Sequence, residues 1–187
     1  MAKVLGQRAL ASNEVVYTLD VNQWIATYLA AIRRQDRIIV KTNAKSGPRV
    51  LAYAQLRSST LQGKKVVVGS STSILKTFAH VLYTDHEIGL YIPKEVSMEW
   101  FRRQMTALNR KGALLFDQTV WTEAELRALA AVPGRGMPDW EDESVYQTAR
   151  NLDSDAILGL DKDFMGAAER NGMKWITAND ALSLMPA

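Results

Sequence analysis

Short runs of β-branched and aromatic residues alternate along this chain with longer stretches in which apolar side chains recur every three or four positions. "EVVYTLDVNQWI" begins as such a run and its apolar stretch stops at Asp20, which predicts a strand whose C-terminal end presents Asp20 and Asn22. In "QWIATYLAAIRRQ", Trp24, Ile25, Tyr28, Leu29 and Ile32 recur at helical spacing, and arginines close the segment where a helix C-terminus favours them. "RIIVKT" reads as a short extra strand ended by the turn-rich "NAKSGP". Residues 49 to 61 read as a helix stopped by Gly63.

The pattern then repeats. "KKVVVGSSTSILKTFAHVL" predicts a strand, a Ser/Thr cluster able to cap a helix, and a helix with Ile74, Leu75, Phe78 and Leu82 on one side. Residues 94 to 110 predict an amphipathic helix with Arg102, Arg103 and Arg110 exposed, and "GALLFDQTV" another strand. "TEAELRALAAV" opens as a capping box, Thr122 standing three residues before Glu125. After the loop "PGRGMPDW" come a helix from about Asp142 to Leu152, the strand "DAILGL", the helix "DFMGAAERNG", the strand "KWIT" and a final helix in "ANDALSLM". Short strands rich in Val and Ile that alternate with helices predict an α/β fold of three layers, α/β/α, around a central, mostly parallel sheet. Ligands in such folds bind outside the C-terminal ends of the strands.

With 187 residues, 47% hydrophobic and 23% charged, the chain suits one globular domain and not a disordered one. No repeat or linker divides it. No apolar run approaches the roughly 20 residues of a membrane span, and the start has no secretion-type apolar core. The absence of cysteine removes disulfides and thiolate ligands, leaving oxygen or imidazole for any metal, and the expected compartment is the cytoplasm. The net charge of +3 hides an asymmetry: residues 1–118 hold 17 Lys and Arg against 8 Asp and Glu, residues 119–187 hold 6 against 12. A basic part can meet phosphates while an acidic part gathers cations, although uneven, solvated charge accounts for the same numbers.

The acidic residues that matter sit at predicted strand tips. Asp20 and Asp161 each follow an apolar run, with Asp163 beside the latter. Asp142 tops the helix face formed by Val145, Tyr146, Ala149 and Leu152, while Glu143, about 100° further round, is expected to point toward solvent. Taken singly, each carboxylate is explained as a cap or a turn residue. Several at one sheet edge would repel one another, and a divalent cation such as Mg²⁺ or Mn²⁺ on oxygen ligands resolves that. A haloacid-dehalogenase-like Asp-x-Asp reading leaves only 24 residues after Asp163 and has Phe164 where Thr or Val is expected. "GSSTS" lacks the Gly-Lys-Ser/Thr of a phosphate-binding loop, so capping is its stronger account.

These residues resemble the PIN-domain family of metal-dependent nucleases. "LDVNQWI" resembles its opening strand, and "DESVYQTARNLDSDAILGLDKDF" its closing pattern, with Ala149, Asp155 and Asp161 at +7, +13 and +19 from Asp142. "GMKWITANDAL" looks like its terminal strand and helix. The likeness runs from Val15 to Leu182, with residues 35 to 47 as an apparent insertion. Three departures stand out: Thr77 occupies the place of a family Glu, Val21 that of a Thr, and Gly159 that of another Thr. Glu87, Glu95 and Glu99 are the candidates to replace the missing acid.

The resemblance implies hydrolysis of phosphodiesters, in single-stranded RNA sooner than DNA. Asp20, Asp142 and Asp161 would hold one or two Mg²⁺ or Mn²⁺, Asn22 would orient a water or a ligand carboxylate, and Asp163 would be an outer ligand. Arg33, Arg34, Lys64, Lys65, Arg102 and Arg103 are candidates to guide the strand, each also explicable as a solvated surface charge. Trp24 and Trp175 lie in apolar patterns and read as core, and His80 and His86 read as structural or surface residues away from the motifs. Many members of the family are toxins, so a toxin-type role, an antitoxin-like partner and a homo-oligomer are all compatible with it. The rival readings are a catalytically degenerate module that binds nucleic acid or protein, favoured by Thr77, and a small-molecule phosphohydrolase using the same cation site.

Overall fold

The computed structural model describes residues 10–25, 27–28, 60–61, 64–84 and 94–183. β1 (Glu14–Leu19) passes directly into α1, helical at residues 21–25 and 27–28. Then come β2 (Thr60–Leu61), β3 (Lys64–Ser71), α2 (Thr72–Thr84), α3 (Lys94–Arg110) and β4 (Leu114–Asp117). The chain continues through α4 (Glu123–Ala130), α5 (Trp140–Asn151), β5 (Ala156–Leu158), α6 (Lys162–Arg170), β6 (Trp175–Ile176) and α7 (Ala178–Ser183). The expected "RIIVKT" strand, the apparent insertion at residues 35–47, most of the helix expected from residue 49, Arg33, Arg34, His86 and Glu87 lie outside the described residues.

Among the described residues, five strands run parallel in the order β4, β3, β1, β5, β6, and helices cover both faces to give three layers. Strand alternation divides the core. Val15, Tyr17, Leu19, Val66 and Val68 belong to a large cluster with Trp24, Phe78, Phe101 and Phe164. Val16 and Val67, on the opposite face, pack with Leu115 and Leu152. β1 is buried almost throughout, which is why its run is nearly continuous in apolar residues where a half-exposed strand would alternate. Both Trp24 and Trp175 are core residues, as their patterns predict.

Two local readings are corrected. Thr60 and Leu61, expected at the end of a helix, pair antiparallel with Lys65 and Lys64. β4 pairs only with the later part of β3, from Val68 to Ser71, so the first residues of β3 offer an open edge that an extended segment satisfies. The second correction concerns α5, which begins at Trp140 because Asp139 is its N-cap, accepting from the N–H groups of Glu141 and Asp142. The capping box at Thr122 and Glu125 forms as expected. No described helix is long and apolar enough to cross a membrane.

Candidate functional site

β1 is the switch point of the sheet: β3 and β4 lie on one side of it, β5 and β6 on the other. The C-terminal tips of β1 and β5 are joined by the Asp20 N–H, which donates to the Leu158 carbonyl at 2.8 Å. A crevice of this kind is where open α/β sheets place ligands. Asp20 follows β1 at once, Asp161 is the N-cap of α6 just beyond β5, and Asp142 lies in the first turn of α5.

Asp20 is 3% exposed. The N–H groups of Val21 and Asn22 and the Asn22 side chain act to lower its pKa, yet its Oδ2 has no hydrogen-bond partner. Burial pushes its pKa up to about 7, and the charge of Asp161 adds to the rise. Asp142 is pushed up to about 8, first by burial and then by Asp139, Asp20, Asp161 and Glu141. Asp161 is exposed, and its Oδ1 accepts from the N–H groups of Asp163 and Phe164 at 2.8 and 3.4 Å. Asp20 and Asp142, from separate elements, therefore both feel the charge of Asp161 at one rim of the sheet. Asp163, also exposed, stands beside them in the first turn of α6.

Asp20 also has unsatisfied company. Gln23 in the first turn of α1, Ser70 at the tip of β3 and Ser73 in the first turn of α2 are all buried, with no hydrogen-bond partner for either Gln23 amide atom or for either Ser Oγ. Buried polar groups are nearly always paired, so such a concentration at the tips of two neighbouring strands is unusual. An oxygen-only donor set with a buried, unpartnered carboxylate oxygen fits a hard cation such as Mg²⁺ or Mn²⁺. Among the described residues, however, no three Asp, Glu or His side chains stand close enough together to hold a metal ion. The acids are coupled through their charge without closing into a ligand cluster.

Thr77 is fully buried and already occupied. Its Oγ1 donates to the Ser73 carbonyl at 3.1 Å and lies 3.2 Å from Ser144 Oγ, whose own hydroxyl donates to the Glu141 carbonyl. Nearby, Ser71 Oγ and Thr148 Oγ1 are 2.7 Å apart. A hydroxyl network thus fills the surroundings of Thr77. Of the suggested replacements, Glu95 is exposed at the start of α3 and Glu99 is paired with Arg102 and Arg103.

Of the candidate strand-guiding cations, four lie among the described residues. Lys64 and Lys65 begin β3, so at about 3.3 Å per residue Lys65 is roughly 20 Å from the rim that carries the acids. Lys65 instead donates to the Gly112 carbonyl and pairs with Glu14. Arg102 and Arg103 share Glu99 on the exposed face of α3.

Two expectations near the site are overturned. Glu143 does not point to solvent: its side chain is 0% exposed and bound by Arg135, because the loop at 131–139 folds over that face of α5. His80 is not remote from the motifs, its Nε2 lying 3.5 Å from Glu141 Oε1 and its ring edge-on to Trp140 at 5.6 Å. A glycine at position 159 has a steric cause. A Cβ there would stand 2.7 Å from the indole nitrogen of Trp175. Gln23, Ser70 and Ser73 carried no sequence signal beyond helix and cap patterns, since an unpaired atom is visible only once the fold is closed. Compared with known proteins, the chain matches no family model, no curated protein and no solved structure.

Proposed function

We propose that this protein is a divalent-metal-dependent nuclease of PIN type that hydrolyses phosphodiester bonds in single-stranded RNA, in the cytoplasm. The observation that carries this reading is the position of Asp20, Asp142 and Asp161, which come from three elements at the switch point of one sheet, with Asp20 and Asp142 raised in pKa first by burial and then by neighbouring acids that include Asp161. Acidic side chains held against their own repulsion call for a compensating positive charge. To hold a Mg²⁺ or Mn²⁺, Asp20, Asp142 and Asp161 would have to draw closer together than they stand here, and the ion when bound would supply neutralisation of the phosphate and a more acidic attacking water. The chain's own part is to bind and orient. Asn22 would favour the charged form of Asp20, the α6 N-terminus fixes Asp161, and the exposed side of Asp161 and Asp163 leaves a path for a strand of nucleic acid.

A second reading, a PIN-like module that binds nucleic acid or protein without cleaving it, is favoured by the occupied hydroxyl of Thr77. Mn²⁺ titration combined with cleavage of a single-stranded RNA separates the two. The nuclease binds Mn²⁺ and cuts, and Asp20→Asn and Asp161→Asn stop the cutting while circular dichroism and melting stay native-like. Cleavage that survives both substitutions sinks the proposed site, and binding of RNA without cleavage at saturating Mn²⁺ selects the second reading. Running a nucleotide panel beside the RNA exposes a small-molecule phosphohydrolase.

A further inference from the structure

The end of the sheet opposite the acidic rim carries the contrary charge. α3 is followed by a turn at Lys111 and Gly112 and then by β4, so its last residues lie at the N-terminal end of β4, away from the strand tips that carry Asp20 and Asp161. Lys65, at the start of β3, reaches that turn: its Nζ donates to the Lys111 carbonyl at 3.3 Å and to the Gly112 carbonyl at 3.0 Å. Two segments remote in sequence thereby bring Lys64, Lys65, Arg110 and Lys111 to one corner of the molecule. Arg102 and Arg103 extend it along the exposed side of α3, Arg103 standing two turns, or about 10 Å, before Arg110.

The acids among these six cations are few. Glu99 is shared by Arg102 and Arg103, and Glu14 lies 3.7 Å from Lys65. Glu95 is in the first turn of α3, about 20 Å along the helix from Arg110. Lys64, Arg110 and Lys111 are exposed and pair with no acid among the described residues. A membrane surface calls for apolar side chains among the cations, and the exposed ones on α3, Val96 and Met98, stand more than about three turns from Arg110. A chain of phosphates fits better, because guanidinium groups bind phosphate oxygens in pairs and unpaired surface cations release the counterions of a polyanion. We propose that the exposed side of α3, together with the start of β3, is a docking surface for the phosphate backbone of single-stranded RNA, separate from the acidic rim and independent of any metal. Naming RNA as the polyanion rests on the nuclease reading above, whereas the surface itself uses none of the acids of the rim.

The test follows the anisotropy of a fluorescently labelled oligouridylate with the full chain in EDTA, over a range of salt. The wild type is expected to bind, with log affinity falling by about 0.7 per phosphate contacted for each unit of log salt. The pair Arg110→Gln, Lys111→Gln alters exposed side chains alone, and should weaken binding on the order of 10-fold at low salt and make the salt slope shallower by about 1.4. The pair Arg170→Gln, Lys174→Gln removes the same charge near β6, at the opposite edge of the sheet, and at about 0.1 M salt should bind within about twofold of the wild type, since charges beyond a Debye length are screened. No binding by the wild type in EDTA, or equal weakening by the two pairs, overturns the surface. Polyglutamate or phosphatidylserine vesicles that compete as well as unlabelled RNA overturn RNA as its occupant. RNA that is bound in EDTA through Arg110 and Lys111 but never cut with Mn²⁺ removes the nuclease reading and leaves the docking surface standing. Cutting by the wild type, with binding unchanged in the Arg110 and Lys111 pair, does the reverse.

Discussion

The two sides of the acidic rim are built on opposite principles. On the α5 and α6 side almost every polar group has its partner: Asp139 caps α5, Asp161 caps α6, and Arg135, Glu143 and Gln147 close a buried ionic cluster. Across the tips of β1 and β3, Asp20 Oδ2, the Gln23 amide and the hydroxyls of Ser70 and Ser73 are buried with no partner. A paired buried charge mainly fixes geometry, whereas an unpaired one is held at a cost that some other interaction must offset. The wired side therefore reads as the frame, and the unwired side as the part kept ready for a guest.

Breaking the frame has the largest expected consequence. Glu143→Ala strands the guanidinium of Arg135, which is only 14% exposed, and should cost about 3–5 kcal/mol in denaturant unfolding. A loss of under about 1 kcal/mol would mean that this side is no more constrained than the other.

Asp20→Asn tests the opposite side. Under the proposed function it should lower Mn²⁺ affinity and RNA cleavage by more than about 100-fold, since a ligand matters at least as much as the groups that support ligands. Its effect on the metal-free fold has the reverse sign. Asp20 and Asp142 have folded-state pKa values raised to about 7 and about 8, above the roughly 3.9 of an unfolded Asp, so the folded state holds more protons between these limits. Stability from these two groups is fully present below pH 4 and is lost as pH rises through 7 and 8. Metal-free wild type should accordingly melt at a lower temperature at pH 8 than at pH 6, Asp20→Asn should reduce that difference, and Mn²⁺ binding should strengthen as pH rises through the same window. A melting temperature that rises over the window would contradict the stated burial of both acids.

Smaller effects sharpen the contrast. Gly159→Thr forces a side chain against Trp175 and should destabilise by about 1–3 kcal/mol, with Trp175→Leu in the same chain recovering part of the loss. Ser70→Ala and Ser73→Ala delete hydroxyls that have no partner, so they should change stability by less than about 1 kcal/mol, in the stabilising direction if at all. A clear destabilisation by either serine change, measured without metal, would show that the hydroxyl is paired after all.

Much of the architecture was legible because it is written in chain-neighbour geometry. The apolar run before Asp20 and the one before Asp161 place both acids at strand tips, and the helix at 94–110 and the cap at Thr122 follow from period and spacing. The reading failed where the deciding partner was distant. Thr60 and Leu61 look helical until an open edge of β3 lies beside them. Glu143 has a solvent-facing register on an isolated helix, and is buried because a loop centred eight residues earlier returns with an arginine. Thr77 carries no signal of its own partners in the linear pattern, and only packing against Ser73 and Ser144 reveals what its hydroxyl does.

Among the described residues, and apart from the Thr60–Leu61 strand, sequence alone determined the succession of strands and helices, the parallel sheet and the delivery of Asp20 and Asp161 to the ends of β1 and β5, since each depends on side-chain periodicity within a few residues. Tertiary structure decided which carboxylates are neutralised and which are left facing one another. Burial and the distance between charges are properties of the closed fold, and a buried charge changes its energy by several kcal/mol according to whether a counter-charge arrives from elsewhere in the chain.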